Sequence, residues 1–137
     1  MYKRTILFLV LSLLMGGTLR AQVNDDFLSP VERYIARGDV ESLSRWFDDA
    51  LEVTIFSRCN ESSINQARQI LQTFFNIYTP KGFKISHVVE KPNIEYVLGA
   101  LDAGGEDFTV TLFVSKQDSR CLIQQMKIDR KARRNRR

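Results

Sequence analysis

The chain has 137 residues, of which 44% are hydrophobic and 26% are charged. This length supports one folded domain, and this balance is typical of a globular protein rather than of a disordered or multi-span membrane chain. Seven glycines and three prolines exclude a collagen-like or low-complexity architecture. Two cysteines and one histidine exclude a zinc finger or a dense disulfide scaffold.

Residues 1–21 have the pattern of a secretory signal peptide. Lys3 and Arg4 precede an apolar stretch at 6–15, and small and polar residues follow it as far as Ala21. This order is typical of a cleaved signal, and the apolar stretch is too short for an ordinary membrane-spanning helix. An uncleaved N-terminal anchor is the alternative. We predict cleavage after Ala21 and a periplasmic or secreted mature protein.

The net charge of +4 is distributed unevenly along the chain. Residues 130–137 include six arginines or lysines and almost no apolar side chain, which predicts a disordered basic tail. The domain predicted between signal and tail, residues 22–129, has 11 basic and 16 acidic residues and is therefore acidic. Because the basic residues do not belong to a folded face, we expect no specific nucleic-acid binding. The tail is suited to weak contacts with anionic surfaces.

Helix signals dominate the first part of the domain. Ser29 and Pro30 predict the N-cap and the first residue of a short helix, and Gly38 predicts its end. Asp39 can cap a second short helix, which the apolar spacing extends to Phe47.

The middle of the domain contains one predicted strand and the main helix. Residues 51–56 alternate apolar and polar side chains as a strand does, and 57–62 is predicted to be a loop. Ser63 and Gln66 then form a capping-box pattern, and apolar residues recur at helical intervals as far as Tyr78.

The remainder of the domain is predicted to form strands. β-Branched and aromatic residues alternate between short turn signals, which favours an antiparallel meander. Its buried face requires a cover, and the apolar stripe of the main helix supplies one, so the class is α+β. The four predicted strands are 83–90, 94–101, 108–115 and 121–128.

This order of elements resembles the nuclear transport factor 2-like, or cystatin-like, fold. Six segments carry a more specific resemblance: YIARGD at 34–39, 47–55, 66–75, FKISH at 83–87, 96–101 and LIQQ at 122–125. They resemble family 4783 of the domains of unknown function, from Bacteroidota. The resemblance implies N-terminal helices and one long helix on a curved, mostly antiparallel sheet, a cone whose open end often holds a pocket, and a small exported protein without an established activity.

The chain has two cysteines, Cys59 and Cys121. An even number of cysteines in a protein predicted to be exported to an oxidising compartment suggests a disulfide. The resemblance gives neither of them a role. It also implies that the first strand runs beside the last in the same direction, with Cys59 after the end of one and Cys121 at the start of the other. That separation disfavours an S–S bond.

His87 is the only histidine of the chain. Strict alternation places it on the same face of its strand as Phe83, Ile85 and Val89. A buried imidazole there could act as a general base, but the sequence shows no carboxylate beside it. A hydrogen-bonded structural histidine is the simpler interpretation.

Four residues are expected to face any ligand pocket: Trp46, His87, Tyr96 and Gln124. No catalytic residue, metal site or cofactor is predicted. The leading interpretation is an exported domain of the cell envelope that binds a small apolar ligand or an envelope protein, with a homodimer through the sheet face as one arrangement. The alternatives are a small isomerase- or hydratase-like enzyme that uses a pocket histidine or carboxylate, and an accessory subunit or chaperone of an envelope assembly.

Overall fold

The computed structural model describes residues 25–117 and 120–131. The predicted signal peptide and residues 132–137 of the predicted tail lie outside these ranges. Among the described residues, no helix has the length and apolar character needed to cross a membrane. In chain order, the elements are α1 (Asp25–Arg37), α2 (Val40–Ser44), β1 (Phe47–Ile55), β2 (Arg58–Ser62), α3 (Ile64–Ile77), β3 (Pro80–Glu90), β4 (Ile94–Ala103), β5 (Glu106–Gln117) and β6 (Arg120–Arg130).

The six strands form one sheet in the order β2-β1-β6-β5-β4-β3. Neighbouring strands are antiparallel except β1 and β6, which are parallel. The last strand therefore lies inside the sheet, between the first strand and β5. The helices contribute buried residues to the same core as one face of this sheet, which we call the inner face. The predicted α+β fold with a mostly antiparallel sheet is confirmed.

Alternation along the strands places the core on the inner face. In β4, every second residue from Glu95 to Ala103 is buried, and the register sets Val97 opposite the equally buried Leu112 of β5. The helices bury the matching apolar stripes at helical spacing. These stripes are Phe27, Val31 and Ile35 on α1 and Ala67, Leu71, Phe74 and Phe75 on α3.

Helix α3 begins as the sequence predicts. The Ser63 backbone N–H donates to Gln66 Oε1 at 3.2 Å, and the Gln66 N–H donates to Ser63 Oγ at 3.3 Å. This reciprocal capping box satisfies two N–H groups that the helix itself cannot pair. The helix ends at Ile77 with Tyr78 as its C-cap, shortly before Pro80 begins β3.

The predicted N-cap of α1 at Ser29 is wrong. The helix begins at Asp25 and contains Pro30 in its interior. The additional N-terminal turn buries Phe27, whose ring packs edge-on against Trp46 with centroids 5.3 Å apart. Burial of a phenylalanine contributes roughly 1.5–3 kcal/mol, which offsets the hydrogen bond that the proline cannot donate.

The predicted boundary between the second helix and the first strand is also wrong. α2 ends at Ser44, and β1 already begins at Phe47, which is buried and pairs with Ile123 of β6. Residues 58–62 are not a loop but strand β2, which pairs antiparallel with β1. Four of the five residues of β2 are exposed, so no apolar alternation marks it in the sequence.

The four C-terminal strands are confirmed, and each is longer than predicted. β6 extends to Arg130, the residue at which we placed the start of the tail. In β3 the register shifts between Ile85 and His87, so that His87 lies on the outer face of the sheet whereas Phe83 and Ile85 lie on the inner face. The prediction that His87 shares a face with Phe83 and Ile85 is wrong, because a β-bulge adds one residue and inverts the alternation beyond it. Val89, also beyond the bulge, does share the outer face with His87.

Both cysteines are free thiols. Cys59 pairs with Thr54 of β1, which pairs in turn with Lys127 of β6, six residues beyond Cys121. At about 3.3 Å per residue, the two thiols lie roughly 20 Å apart along the sheet. A disulfide requires Cα atoms within about 7 Å, so the predicted wide separation is confirmed.

Candidate functional site

Two of the four residues predicted to face a pocket lie on the outer face of the sheet. His87 is exposed, and its Nδ1 is 3.0 Å from the Ser86 hydroxyl. Tyr96 is half-buried, and its ring packs edge-on against Phe113 at 4.9 Å. Tyr96 pairs with Val89, two residues from His87, so Tyr96 and His87 are diagonal neighbours across two strands.

Trp46 and Gln124 lie elsewhere, near the junction of β1 and β6. The Trp46 ring contacts Phe27, and its carbonyl oxygen accepts a hydrogen bond from the Ile123 N–H at 2.7 Å. Gln124 Nε2 donates to Asp48 Oδ2 at 3.3 Å. The structure thus places Trp46 near Gln124 but does not bring this pair together with His87 and Tyr96.

A different place in the fold has the shape of a binding site. A groove of about 560 Å³ lies between α3 and the β1–β2 hairpin, and we call it the hairpin groove. Its polar lining is Arg58, Asn60, Gln69 and Thr73, and none of the described residues that line it is acidic. Its apolar lining is Ile55, Phe56, Ile70, Phe74, Ile77 and Tyr78.

Packed aromatic rings stiffen the floor of the hairpin groove. Tyr78 lies 5.0 Å from both Phe74 and Phe108, and Phe74 lies 5.3 Å from Phe108, between ring centroids. Phe56 completes the cluster at 5.9–6.1 Å from the other three. Tilted and edge-to-face pairs at these distances contribute about 0.5–1.5 kcal/mol each beyond the area that they bury. The groove is therefore held open by rigid groups.

The hairpin turn that carries Phe56 is strained. Phe56 and Ser57 have φ angles of +50° and +72°, in the left-handed region that glycine adopts most easily. Two contacts hold Phe56 there: its N–H donates to the Ile128 carbonyl at 3.1 Å, and the Arg130 guanidinium lies 4.2 Å from its ring centroid. Strained backbone that persists under such restraint clusters at ligand-binding and active sites.

Cationic groups lie along the hairpin groove. Arg58 is exposed, and among the described residues it has no ion-pair partner. Arg130 Nη2 donates to the Tyr78 hydroxyl at 2.9 Å, and its Nε is 3.6 Å from Glu106 Oε1. The groove is thus apolar along its floor and positive at its edge, on a domain whose overall charge is negative.

A second ionic cluster lies on the inner face at the other end of the sheet. Lys116 Nζ is 2.7 Å from Glu90 Oε1 and 3.5 Å from Oε2 of the fully buried Glu95. The hydrogen bond to Glu90 raises the pKa of Lys116, and the charge of Glu95 acts in the same direction, whereas partial desolvation of the ammonium opposes the shift.

Burial raises the pKa of the nearby Cys121 thiol, and a hydrogen bond with Glu52 raises the pKa of the Cys59 thiol. Both thiols are therefore weak nucleophiles near neutral pH.

The described residues contain no group of three histidine, cysteine, aspartate or glutamate side chains that could hold a metal ion.

The fold places the protein in a known structural class. An NTF2-like protein of unknown function from Silicibacter pomeroyi is 18% identical, and the match covers 76% of this chain and 89% of that one with a TM-score of 0.59. A domain with a cystatin-like fold from Nostoc punctiforme is 14% identical, with coverage of 85% and 80% and a TM-score of 0.65. The protein therefore has the NTF2-like, cystatin-like fold.

Within that class, the chain belongs to the DUF4783 family, a domain of unknown function, whose match spans residues 28–129. A DUF4783 protein from Bacteroides ovatus is 24% identical, covering 80% of this chain and 100% of that one with a TM-score of 0.75. The resemblance noted from the sequence is confirmed. No curated protein matches the chain.

The hairpin groove cannot be predicted when the segment after Phe56 is taken as a loop, because strand β2 forms one of its walls. One signal was present. Ile70 and Ile77 are spaced seven residues apart on α3 and fall outside its fully buried stripe, and Ile77 is 66% exposed. A second apolar row on a helix that already has a core stripe indicates a further contact surface.

Proposed function

We propose that this protein is an exported binding protein that accommodates an elongated apolar ligand in the hairpin groove. The observation that carries the proposal is the groove itself, an apolar depression of about 560 Å³ with a rigid aromatic floor. Small-molecule sites are usually largely preformed, mostly apolar and roughly 300–1,000 Å³ in volume.

The balance of exposed and buried apolar surface supports a ligand in this groove. Ile77 exposes 66% of its surface beside the half-buried Ile70 and Tyr78. A ligand that covers these side chains would gain about 25 cal/mol of binding free energy for each Å² of apolar area that it removes from water. Arg58 and the three neutral polar residues of the lining lie at the same groove and can interact with a polar group of the ligand.

An enzymatic function through His87 has less support. The side chain is exposed on the outer face, and its hydrogen-bond partner is the neighbouring Ser86 hydroxyl. A general base must lie within hydrogen-bond reach of the substrate proton that it removes, in a site from which the bound substrate excludes water. We therefore favour binding over isomerase or hydratase chemistry.

Self-association through the outer face of the sheet is a second candidate role. Val89 and Ile94 expose 49% and 36% of their surfaces, and the Tyr96 and Phe113 rings lie beside them on the same face. An exposed apolar row of this kind suits a second copy of the chain. Sedimentation equilibrium of the wild type and of Val89→Lys tests it: a dimer that the lysine dissociates is expected, and a monomeric wild type contradicts it.

Direct binding of a neutral fluorescent probe, 1-N-phenylnaphthylamine, tests the binding proposal. Ile77→Ser removes exposed apolar surface from the groove and is expected to weaken probe binding about fivefold, equivalent to about 1 kcal/mol. Val88→Ser is the matched control, because Val88 is also exposed, at 38%, but lies outside the groove. A wild type that binds no probe, or equal losses in both variants, would contradict the proposal.

Export is tested separately. The denatured mass of the protein recovered from its native periplasm is expected to correspond to a chain that begins at Gln22. A mass that retains residues 1–21 would support the uncleaved anchor instead.

A further inference from the structure

The polar groups of the hairpin groove do not match a purely apolar ligand. Arg58 lines the groove and has no ion-pair partner among residues 25–117 and 120–131. A guanidinium has five N–H donors and no acceptor, in a planar arrangement that matches a carboxylate. Since no acidic side chain of the described residues lines the groove, a ligand can supply the anionic acceptor for Arg58.

Tyr78 is set up as a second donor in the same groove. Arg130 donates to the Tyr78 hydroxyl oxygen at 2.9 Å. Because arginine cannot accept a hydrogen bond, the tyrosine proton is available to a ligand or to water, and no acceptor for it lies among the described residues. The guanidinium also contacts the Phe56 ring and lies 3.6 Å from Glu106. A ligand oxygen that binds the Tyr78 proton would therefore also lie near the Arg130 guanidinium.

We infer that the ligand of the hairpin groove is a free single-chain amphiphile with one anionic group, such as a medium-chain carboxylic acid. The inference rests on the proposed function, since it assigns the chemistry of that same ligand. The hydrocarbon chain lies on the aromatic floor, and the carboxylate accepts hydrogen bonds from Arg58 and Tyr78. Charge-assisted bonds of this kind are about twice as strong as neutral ones, so they distinguish an acid from an alcohol of equal length.

A comparison of decanoate with decanol tests the inference, with both measured near pH 7, where a carboxylic acid is ionised. The wild type is expected to bind the acid about tenfold more tightly than the alcohol. Arg58→Gln is expected to remove most of this difference by weakening the binding of the acid only, and Tyr78→Phe is expected to reduce it by a smaller factor. Each methylene added to either ligand should raise the affinity about fourfold until the groove is full.

Arg68→Gln is the matched control, because Arg68 lies on the same helix as the groove wall but lines a different depression. If Arg68→Gln lost as much affinity for the acid as Arg58→Gln, the preference for the acid would reflect the net charge of the protein rather than a contact with Arg58. This result would overturn the inference. Equal binding of acid and alcohol by the wild type would overturn the inference and leave the binding proposal standing. Binding of neither would overturn the proposed function itself.

Discussion

Gly99 offers a test of how the core is packed. It lies on the inner face of β4, beneath the ring of Phe83 on β3. A Cβ at this position would lie 2.3 Å from Phe83 Cζ, 2.5 Å from Cε1 and 3.0 Å from the Lys84 carbonyl oxygen. Carbon atoms pack best at about 3.5–4.0 Å, so the ring has to move by more than about 1 Å. Overpacking costs about 1–3 kcal/mol, and we expect Gly99→Ala near the upper end because backbone atoms also resist.

Urea unfolding followed by circular dichroism measures this cost. A loss of about 3 kcal/mol lowers the urea midpoint by roughly 1–3 M with an unchanged slope. Gly82→Ala in β3 is the control, because a Cβ there meets nothing within 4 Å, and we expect it to be neutral or slightly stabilising. Phe83→Leu removes the colliding ring atoms at a cost of about 1 kcal/mol. The double variant should therefore be more stable than the additive expectation by about 2 kcal/mol. Additive losses, or an equal loss in Gly82→Ala, would refute this reasoning.

Four further outcomes can be measured by thermal or urea unfolding. Ser63→Ala removes the capping-box hydroxyl of α3 and is expected to cost about 1 kcal/mol; no change would show that the box is dispensable. Ser57→Gly relieves a φ of +72° and should stabilise the fold by about 0.5–1 kcal/mol, whereas destabilisation would contradict the strained turn. Lys116→Met removes the ammonium that lies 3.5 Å from the buried Glu95 carboxylate, and the free energy of unfolding should fall by about 2 kcal/mol. Adding Glu95→Gln to this variant should restore part of the lost stability, because it removes the unpaired buried charge. Hydrogen bonds from the side chain and the backbone N–H of Ser42 lower the pKa of Asp39 below its ordinary value of 3.8. The stabilising contribution of Asp39 is therefore present above pH 3.8 and is lost as the pH falls through the lowered pKa. Asp39→Asn should lose less stability on acidification than the wild type, and equal losses would contradict this.

The elements that the sequence predicted well are those whose signals are local. The capping box of α3 and the alternation of the four C-terminal strands depend on neighbours within a few positions of the chain. The start of α1 and strand β2 could not be predicted in this way. The first depends on the contact between Phe27 and Trp46, and the second on pairing with β1, and both are tertiary interactions.

The candidate site was harder to predict than the fold. Side-chain type drew attention to His87 and Gln124, but each lies at a β-bulge, and a bulge changes which face its neighbours occupy. The hairpin groove depends on a two-residue turn at Phe56 and Ser57 that contains neither glycine nor asparagine, the residues that usually mark such turns. The groove therefore becomes recognisable only once strand β2 is folded back beside α3.

The position of β6 has a consequence for how the protein folds. Without this strand the sheet separates into two parts, the β1–β2 hairpin and the β3–β5 meander, each with an unpaired edge. The chain must therefore bring together segments more than 60 residues apart, as Val53 and Met126 are, before the two parts can join. Contacts between such distant residues slow folding, typically to milliseconds or seconds for sheets of this kind. A nascent chain cannot complete the sheet until its last strand has been synthesised, so insertion of β6 is expected to be the step that commits the domain to its native topology.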